Sequence, residues 1–329
     1  MVSADAKIIS SILAGERLAL ARLLTQVEND LPEGRAALSG LFAYTGRAHW
    51  IGVTGAPGTG KSSLVNQLAH YYRHPSAGET PRTVAIVAVD PSSPFTGGAI
   101  LGDRVRMRDL TGDPGVFIRS MATRGSLGGL AHSTASLVQV FDAAGYEIIL
   151  IETVGAGQAE VDIVRLAHTT LVIEAPGLGD DIQAIKAGIL EIADVLIVNK
   201  ADRPGVENTE RALLNMLQLA RPAQVHNKTG SLIPSWTPPV LRTVATEGIG
   251  IGEVAAEITR HREYLLNTGN WEDRERLRLD TELESLVQDR LVARWHAGIP
   301  DSKYQDVINQ LVERRISPQQ AVDLLIVDE

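Results

Sequence analysis

The stretch "GVTGAPGTGKSSLVNQLA", residues 52–69, decides the fold. It contains G-x-x-x-x-G-K-S as Gly55, Gly60, Lys61 and Ser62. It follows the apolar run "WIGVTG" (50–55) and opens a helix-like stretch over 61–73. In a strand–loop–helix context the glycines let the backbone curl, so that successive N–H groups face phosphates. Gly55, Ala56, Pro57, Gly58, Thr59, Gly60, Lys61, Ser62 and Ser63 are therefore expected to form a nucleotide-phosphate loop. Lys61 neutralises terminal phosphates in such a loop, the Ser62 hydroxyl ligates magnesium, and the following helix adds its positive end.

Outward from this loop the pattern alternates. Apolar runs recur at "TVAIVAVD" (83–90), "YEIILIE" (146–152), "TTLVIEA" (169–175), "DVLIVNK" (194–200) and "PVLRTVAT" (239–246). Helix-like stretches separate several of them, at 61–73, 125–144, 180–192 and 206–220. Short, nearly all-apolar strands alternating with helices predict an α/β fold, a P-loop NTPase with a mostly parallel sheet flanked by helices. Ligands then belong at the carboxyl ends of the strands.

Helical extensions are expected at both ends. Residues 4–28 read as one amphipathic helix with Ile8, Ile12, Ala19, Leu23 and Val27 on its apolar face, and 33–44 as a second. After about 262 the chain turns charged, with Leu279, Leu283, Leu286, Val287 and Leu291 as the apolar stripe of a further helix. "DVINQLVERRISPQQAVDLLI" reads as a helix, a break near Ser317–Pro318 and a short final helix. The expected division is 1–46 helical segment, 47–262 nucleotide domain and 263–329 helical arm, the last suited to docking or dimerisation.

Composition narrows the function classes. The 329 residues are 44% hydrophobic and 22% charged, with net charge −9, so no bulk electrostatic case exists for nucleic acid or an anionic membrane. Cysteine is absent, which excludes disulfides and cysteine-ligated metals and suits a cytoplasmic location. The amino terminus lacks a secretion signal's basic start and apolar core, and no apolar run approaches the roughly 20 residues of a membrane span.

"VLIVNKAD" (195–202) selects the base. The Asp202 carboxylate offers two acceptors side by side, matching guanine's ring N–H and exocyclic amine; adenine has no such donor pair. Lys200 can lay its aliphatic stem over the base, and Asn199 can brace neighbouring loops. In "TVATEGIG" (243–250), Ala245 stands where guanine proteins carry the alanine of a Ser-Ala pair, but Val244 replaces the serine. GTP and GDP are thus the expected ligands, with a backbone N–H at this loop and no serine brace.

Three acids lie near strand ends or in the loops after them: Asp90, Asp103 and Glu152. Oxygen ligands suit magnesium, which keeps several waters and takes one or two carboxylates, so Glu152 and one aspartate are expected to act through magnesium-bound or attacking water. In "IETVGAGQAE" (151–160) Ala156 follows Gly155, and Gln158 arrives two places later than the glutamine of familiar small switches. Arg104, Arg106, Arg108, Arg119 and Arg124 lie in two segments read as loops; a solvated or ion-paired role is expected for each ahead of an internal arginine finger. "APGLGDDIQAIKAG" (175–188) is another glycine loop before a helix, with Asp180, Asp181, Gln183 and Lys186.

Taken together, "GAPGTGKSS", "AVDPSSPFTGGAILGDRVRM", "FIRSMATRGSLGGLA", "ETVGAGQAE", "PGLGDDIQAIKAG" and "NKAD" resemble the MeaB/ArgK family of P-loop GTPases, which includes the human methylmalonic aciduria type A protein. The likeness spans about residues 5–325, down to "VERRISPQQAVDLL". It implies a G-protein chaperone for an adenosylcobalamin-dependent acyl-CoA mutase, gating cofactor loading and forming a homodimer through carboxyl-terminal helices. It also implies roles for Lys61 and Ser62 at phosphate and magnesium, for Asp90, Asp103 and Glu152 around magnesium and water, and for Asn199 and Asp202 at guanine. "GLGDDIQAIK" would be a partner-sensing switch with Lys186 as its signalling residue. A P-loop kinase, a metal-insertion GTPase and a scaffold without turnover stand as alternatives at this point; for metal insertion the sequence offers only His70 and His74, four apart on a helix.

Overall fold

A computed structural model describes residues 4–76, 78–91, 108–110, 112–123, 129–153, 166–177, 192–219, 225–226, 232–233 and 235–326. The chain forms two compact units, Met1–Arg278 and Leu279–Glu329. In the first, helices α1 (Ala4–Leu13), α2 (Arg17–Glu28) and α3 (Pro32–Leu41) precede β1 (His49–Thr54) and α4 (Lys61–Arg73). There follow β2 (Val84–Pro91), β3 (Val116–Thr123), α5 (Gly129–Ala143), β4 (Ile148–Thr153), β5 (Thr169–Glu174), β6 (Val195–Asn199) and α6 (Val206–Leu219). A short antiparallel pair of β7 (Val225–His226) and β8 (Leu232–Ile233), then β9 (Val240–Thr243) and α7 (Ile251–Thr268), come next. Helix α8 (Asn270–Gly298) begins in this unit; α9 (Asp301–Val312) and α10 (Pro318–Leu325) belong to the second. The 262/263 boundary expected from composition falls inside α7.

The main sheet has the order β3-β2-β4-β1-β5-β6-β9 with every pairing parallel. Because successive side chains of a strand point to opposite faces, each strand feeds two cores. Ile51 and Val53 of β1, Ile148 and Leu150 of β4, and Val84 and Ile86 of β2 join the core under α4 and α7. Their neighbours Trp50, Ile149, Ile151, Ala85 and Val87 join the core under α1–α3 and α5. Each Ile, Leu or Val buried this way contributes about 1.5–3 kcal/mol. Burial on both faces explains why these strands read as continuous apolar runs.

Three elements differ from the sequence reading. The single helix expected over 4–28 is two, broken where Gly15 takes a φ of 76°. The segment "FIRSMAT", read as loop, is edge strand β3, paired residue for residue with β2 from Val84–Val116 to Pro91–Thr123. An edge strand bonds on one side only and tolerates polar residues, which hides its period. Arg119 on that strand is ion-paired with Glu28 of α2 and donates to the Thr25 hydroxyl at 3.3 Å, so it takes the ion-paired role. The strand expected over 239–246 is shortened to β9, and beyond it the backbone turns into a tight loop.

Two buried carboxylates fix the sheet's amino-terminal edge. Asp142 accepts from the backbone N–H groups of Gly46, Arg47 and Ala48 at 2.7, 3.1 and 3.0 Å, holding the approach to β1. Asp194, just before β6, accepts from Arg274 of α8 through both oxygens at 2.8 Å and from the Thr170 N–H at 2.8 Å. A chain of histidines continues the network. His49 Nε2 and His261 Nδ1 share the Thr169 hydroxyl at 2.7 and 2.8 Å, and His261 Nε2 lies 3.2 Å from Asp194. The Trp50 N–H donates to His168 Nδ1 at 3.0 Å, so a neutral His168 carries its proton on Nε2, facing Glu275 at 2.6 Å. Trp271 stacks on His168 with centroids 3.9 Å apart. The first turns of α8 are thereby bolted to the strand starts.

This network sets an acid limit on stability. Burial holds the His49 and His168 imidazoles below the ordinary value of 6.5; the charges of His168, Arg262, His261 and Arg82 add to the effect at His49, whereas the Glu275 bond opposes it at His168. Burial alone would raise the two carboxyls, but Arg274 and His261 outweigh it at Asp194, and the bonds from His168 and Arg278 hold Glu275 at about 2. Between 6.5 and the folded histidine values the unfolded chain binds more protons, so stability is complete above about pH 6.5 and declines below it. The carboxylates add a second loss as pH falls below their unfolded values toward 2. Urea midpoints are expected to drop between about pH 7.5 and about pH 5.5 and more steeply below about pH 4.5; a flat midpoint across the upper interval would contradict this assignment.

Candidate functional site

Because all main-sheet strands are parallel, their carboxyl ends lie along one edge, and the chain reverses direction across the sheet at β1, between β4 and β5. Such a switch point opens a crevice above the strands. The turn after β1 (Gly55–Gly60) sits there, closely packed from both sides. Gly55 has φ 142°, and a Cβ on it would lie 2.1 Å from the Ile173 carbonyl oxygen of β5. Gly60 has φ 97°, and a Cβ there would lie 2.3 Å from Asn199 Nδ2. No other residue fits either position without moving backbone or breaking the Asn199 contact.

Within the turn, Thr59 is buried and its hydroxyl donates to the Ala56 carbonyl at 3.0 Å. The Lys61 ammonium donates to the Gly55 and Ala56 carbonyls at 2.7 and 3.0 Å, which places it across the mouth of the loop. Ala56 is half-buried, Pro57 and Gly58 are exposed, and Ser63 is half-buried one residue past Ser62. Ser62, at the start of α4, donates its hydroxyl to Glu152 Oε1 at 2.6 Å; both side chains are buried. The neighbouring Thr153 donates to Thr54 at 3.3 Å, tying the end of β4 to that of β1. Hydroxyl and carboxylate oxygens held together at the head of a helix are hard donors of the kind magnesium takes, so this pair fits that ion.

The other half of the crevice is organised by Asn199, at the end of β6. Its Nδ2 donates to the Thr59 carbonyl at 2.8 Å, while its Oδ1 accepts from the Thr243 hydroxyl and the Ala245 N–H, both at 3.0 Å. One buried carboxamide thus joins the phosphate loop to the loop after β9. Thr243 was not singled out from the sequence; the expectation there was a missing brace, because Val244 replaces serine. The hydroxyl that does the bracing lies one residue earlier, at a strand end with inward geometry. Val244 itself exchanges backbone bonds with Ile249 at 3.1 and 3.3 Å, closing the loop. Lys200 follows Asn199 with φ 58°, strained for a side-chain-bearing residue, and its ammonium donates to the Gly58 carbonyl at 2.6 Å. Asp202, two residues on, is exposed in the turn that the Lys200 carbonyl and the Arg203 N–H close at 2.9 Å.

The structure therefore brings together Gly55 through Ser63, Glu152, Asn199, Lys200, Asp202 and Ala245. Asp90 lies one residue before the end of β2 on the same sheet edge, with only its backbone described. Asp103, Gly155, Gln158, Asp180, Asp181, Gln183 and Lys186 lie outside the described residues, as do Arg104, Arg106 and Arg124. Among the described residues no three His, Asp or Glu side chains cluster as a metal site. His70 and His74 stack with centroids 4.2 Å apart on the far end of α4, and no described helix is long and apolar enough to cross a membrane.

The chain matches the family model described as the methylmalonyl-CoA mutase-associated GTPase MeaB over residues 20–299. A protein of Pyrococcus abyssi designated a candidate GTPase is 42% identical over 320 residues, covering 97% of this chain and 95% of its own. The GTPase ArgK of Escherichia coli is 35% identical over 268 residues, covering 80% of this chain and 78% of its own. A crystal structure of a LAO/AO transport system kinase superimposes with TM-score 0.67 at 24% identity, covering 98% of this chain and 96% of its own, a likeness of fold.

The Asn199 junction gives a graded expectation. Asn199→Ala leaves a buried carbonyl, hydroxyl and N–H without their partner and should cost about 1–3 kcal/mol of stability. Thr243→Val keeps the Ala245 N–H on Asn199 and should cost about 1 kcal/mol or less. Denaturant titration of the two variants checks the order; equal losses would mean the carboxamide is not the joint.

Proposed function

The chain belongs to the MeaB family of GTPases, and on that premise we propose that it is a GTP-binding and GTP-hydrolysing chaperone for an adenosylcobalamin-dependent acyl-CoA mutase such as methylmalonyl-CoA mutase. In this reading it gates cofactor loading and protects or reactivates its client. The observation that carries the nucleotide half is the Asn199 bridge, which joins a phosphate loop to a base loop. The family description, which names the mutase, supports the client half.

In this reading the phosphates lie along the N–H groups of Gly55–Ser63, and the Lys61 ammonium exchanges its two carbonyl partners for phosphate oxygens. Asp202 accepts from guanine's two N–H donors, the Ala245 region offers a backbone N–H, and the Lys200 stem covers the base. Magnesium, when bound, neutralises charge on the phosphates; Ser62 would hold it directly, and Glu152, Asp90 and Asp103 would act around it or through its waters. The Ser62 hydroxyl would ligate the ion through an oxygen lone pair while its O–H still donates to Glu152, so Glu152 would orient that hydroxyl toward the metal. Gln158 does not follow Gly155 directly, so no side chain there orients water as in the familiar small switches, and turnover waits on the partner. Asp180, Asp181, Gln183 and Lys186 form the partner-facing switch. The protein is cytoplasmic and homodimeric in this proposal; the exposed apolar stripe of α8, with Leu283, Leu286, Val287 and Leu291 from 43% to 60% accessible, supports a helical interface.

The deciding experiment measures phosphate release from GTP with and without a purified adenosylcobalamin-dependent mutase. The expected rate is on the order of one turnover per minute or less alone, rising with the mutase. No acceleration by any such mutase would count against the chaperone, and γ-phosphate transferred to protein in place of free phosphate would favour a kinase. Asp202→Asn should weaken GTP binding by about 1.5–3 kcal/mol, leaving the fold unchanged.

A further inference from the structure

His70 and His74 stand apart from the nucleotide crevice, at the far end of α4, and both are exposed. His70 lies in the last turn of the helix, about 12 Å along its axis from Ser62, and His74 caps it. The two imidazoles stack with centroids 4.2 Å apart and planes 24° from parallel. His74 Nδ1 lies 3.1 Å from the His70 carbonyl oxygen. That oxygen can only accept, so Nδ1 carries the proton and a neutral His74 keeps its lone pair on Nε2. Donation of one ring N–H to a backbone carbonyl is how metal-ligating histidines fix their tautomer and ring orientation. Arg73, between the two in the chain, is neutralised: its guanidinium donates to both oxygens of Asp113 at 2.9 and 2.8 Å.

Imidazole nitrogen suits zinc, copper and nickel, whereas magnesium and calcium take oxygen. We propose that His70 and His74 together chelate a divalent transition-metal ion such as zinc, each through one ring nitrogen, with water completing the shell. The rings already lie side by side, so bringing both onto one ion immobilises little that is still free. Two protein ligands are fewer than the three or four of catalytic and structural zinc sites, so the ion is held reversibly. The site is separate in place and in donor type from the oxygen pair of Ser62 and Glu152, and it does not depend on the GTP reading.

Equilibrium dialysis of the full chain against zinc, after stripping with EDTA and without nucleotide, tests the site. Saturable uptake of one zinc per chain is expected, and about a tenfold excess of magnesium should not displace it. His70→Ala and His74→Ala should each weaken uptake at least about tenfold, since losing either ring ends the chelate. His296→Ala removes an exposed histidine outside the pair and should leave uptake unchanged. Absence of saturable uptake up to about 1 mM zinc overturns the proposal. So does uptake unchanged in either variant of the pair, an equal loss in His296→Ala, or displacement by magnesium.

Discussion

The carboxamide of Asn199 is the interaction on which the arrangement of the crevice depends. Its donor holds the phosphate loop through Thr59, and its acceptor holds the base loop through Thr243 and Ala245. The same group sets the limit on Gly60, where any side chain would collide with Nδ2. The glycine turn after β1 and the loop after β9 therefore cannot be positioned separately. A shift of either loop is felt by the other through one buried side chain that exposes only 2% of its surface.

The sheet makes this economy available. Parallel pairing brings the ends of β1, β4, β6 and β9 to one edge, so Lys61, Glu152, Asn199 and Ala245 converge although they are far apart in the chain. The opposite edge is occupied by a different chemistry. There Asp194, Glu275 and three histidines bind the strand starts to the first turns of α8. The glycine turn and the helix anchoring are thus separated by the length of the strands.

How much was legible from the sequence depended on whether a residue's role is local. The phosphate loop was, because strand, glycine turn and helix are consecutive and the spacing from Gly55 to Ser62 is dictated by the backbone. The bracing of neighbouring loops by Asn199 was legible for the same reason. Edge strand β3 was not, since Arg119 and Ser120 interrupt its apolar pattern and only pairing with β2 and the Glu28 ion pair account for them. Thr243 was not, since Val244 occupies the position of the usual serine brace, and a strand's last side chain declares its direction only once its register with β6 is known.

By itself, the sequence determined the class of fold and the glycine turn between β1 and α4, because each rests on residues close together in the chain whose spacing is constrained by local geometry. Tertiary structure alone decided that Ser62 meets Glu152, that Asn199 bridges Thr59 and Ala245, and that His168 meets Glu275. Those partners stand 90, 140, 46 and 107 residues apart. Contacts across such distances follow from strand order and register, which no periodicity within a single segment encodes.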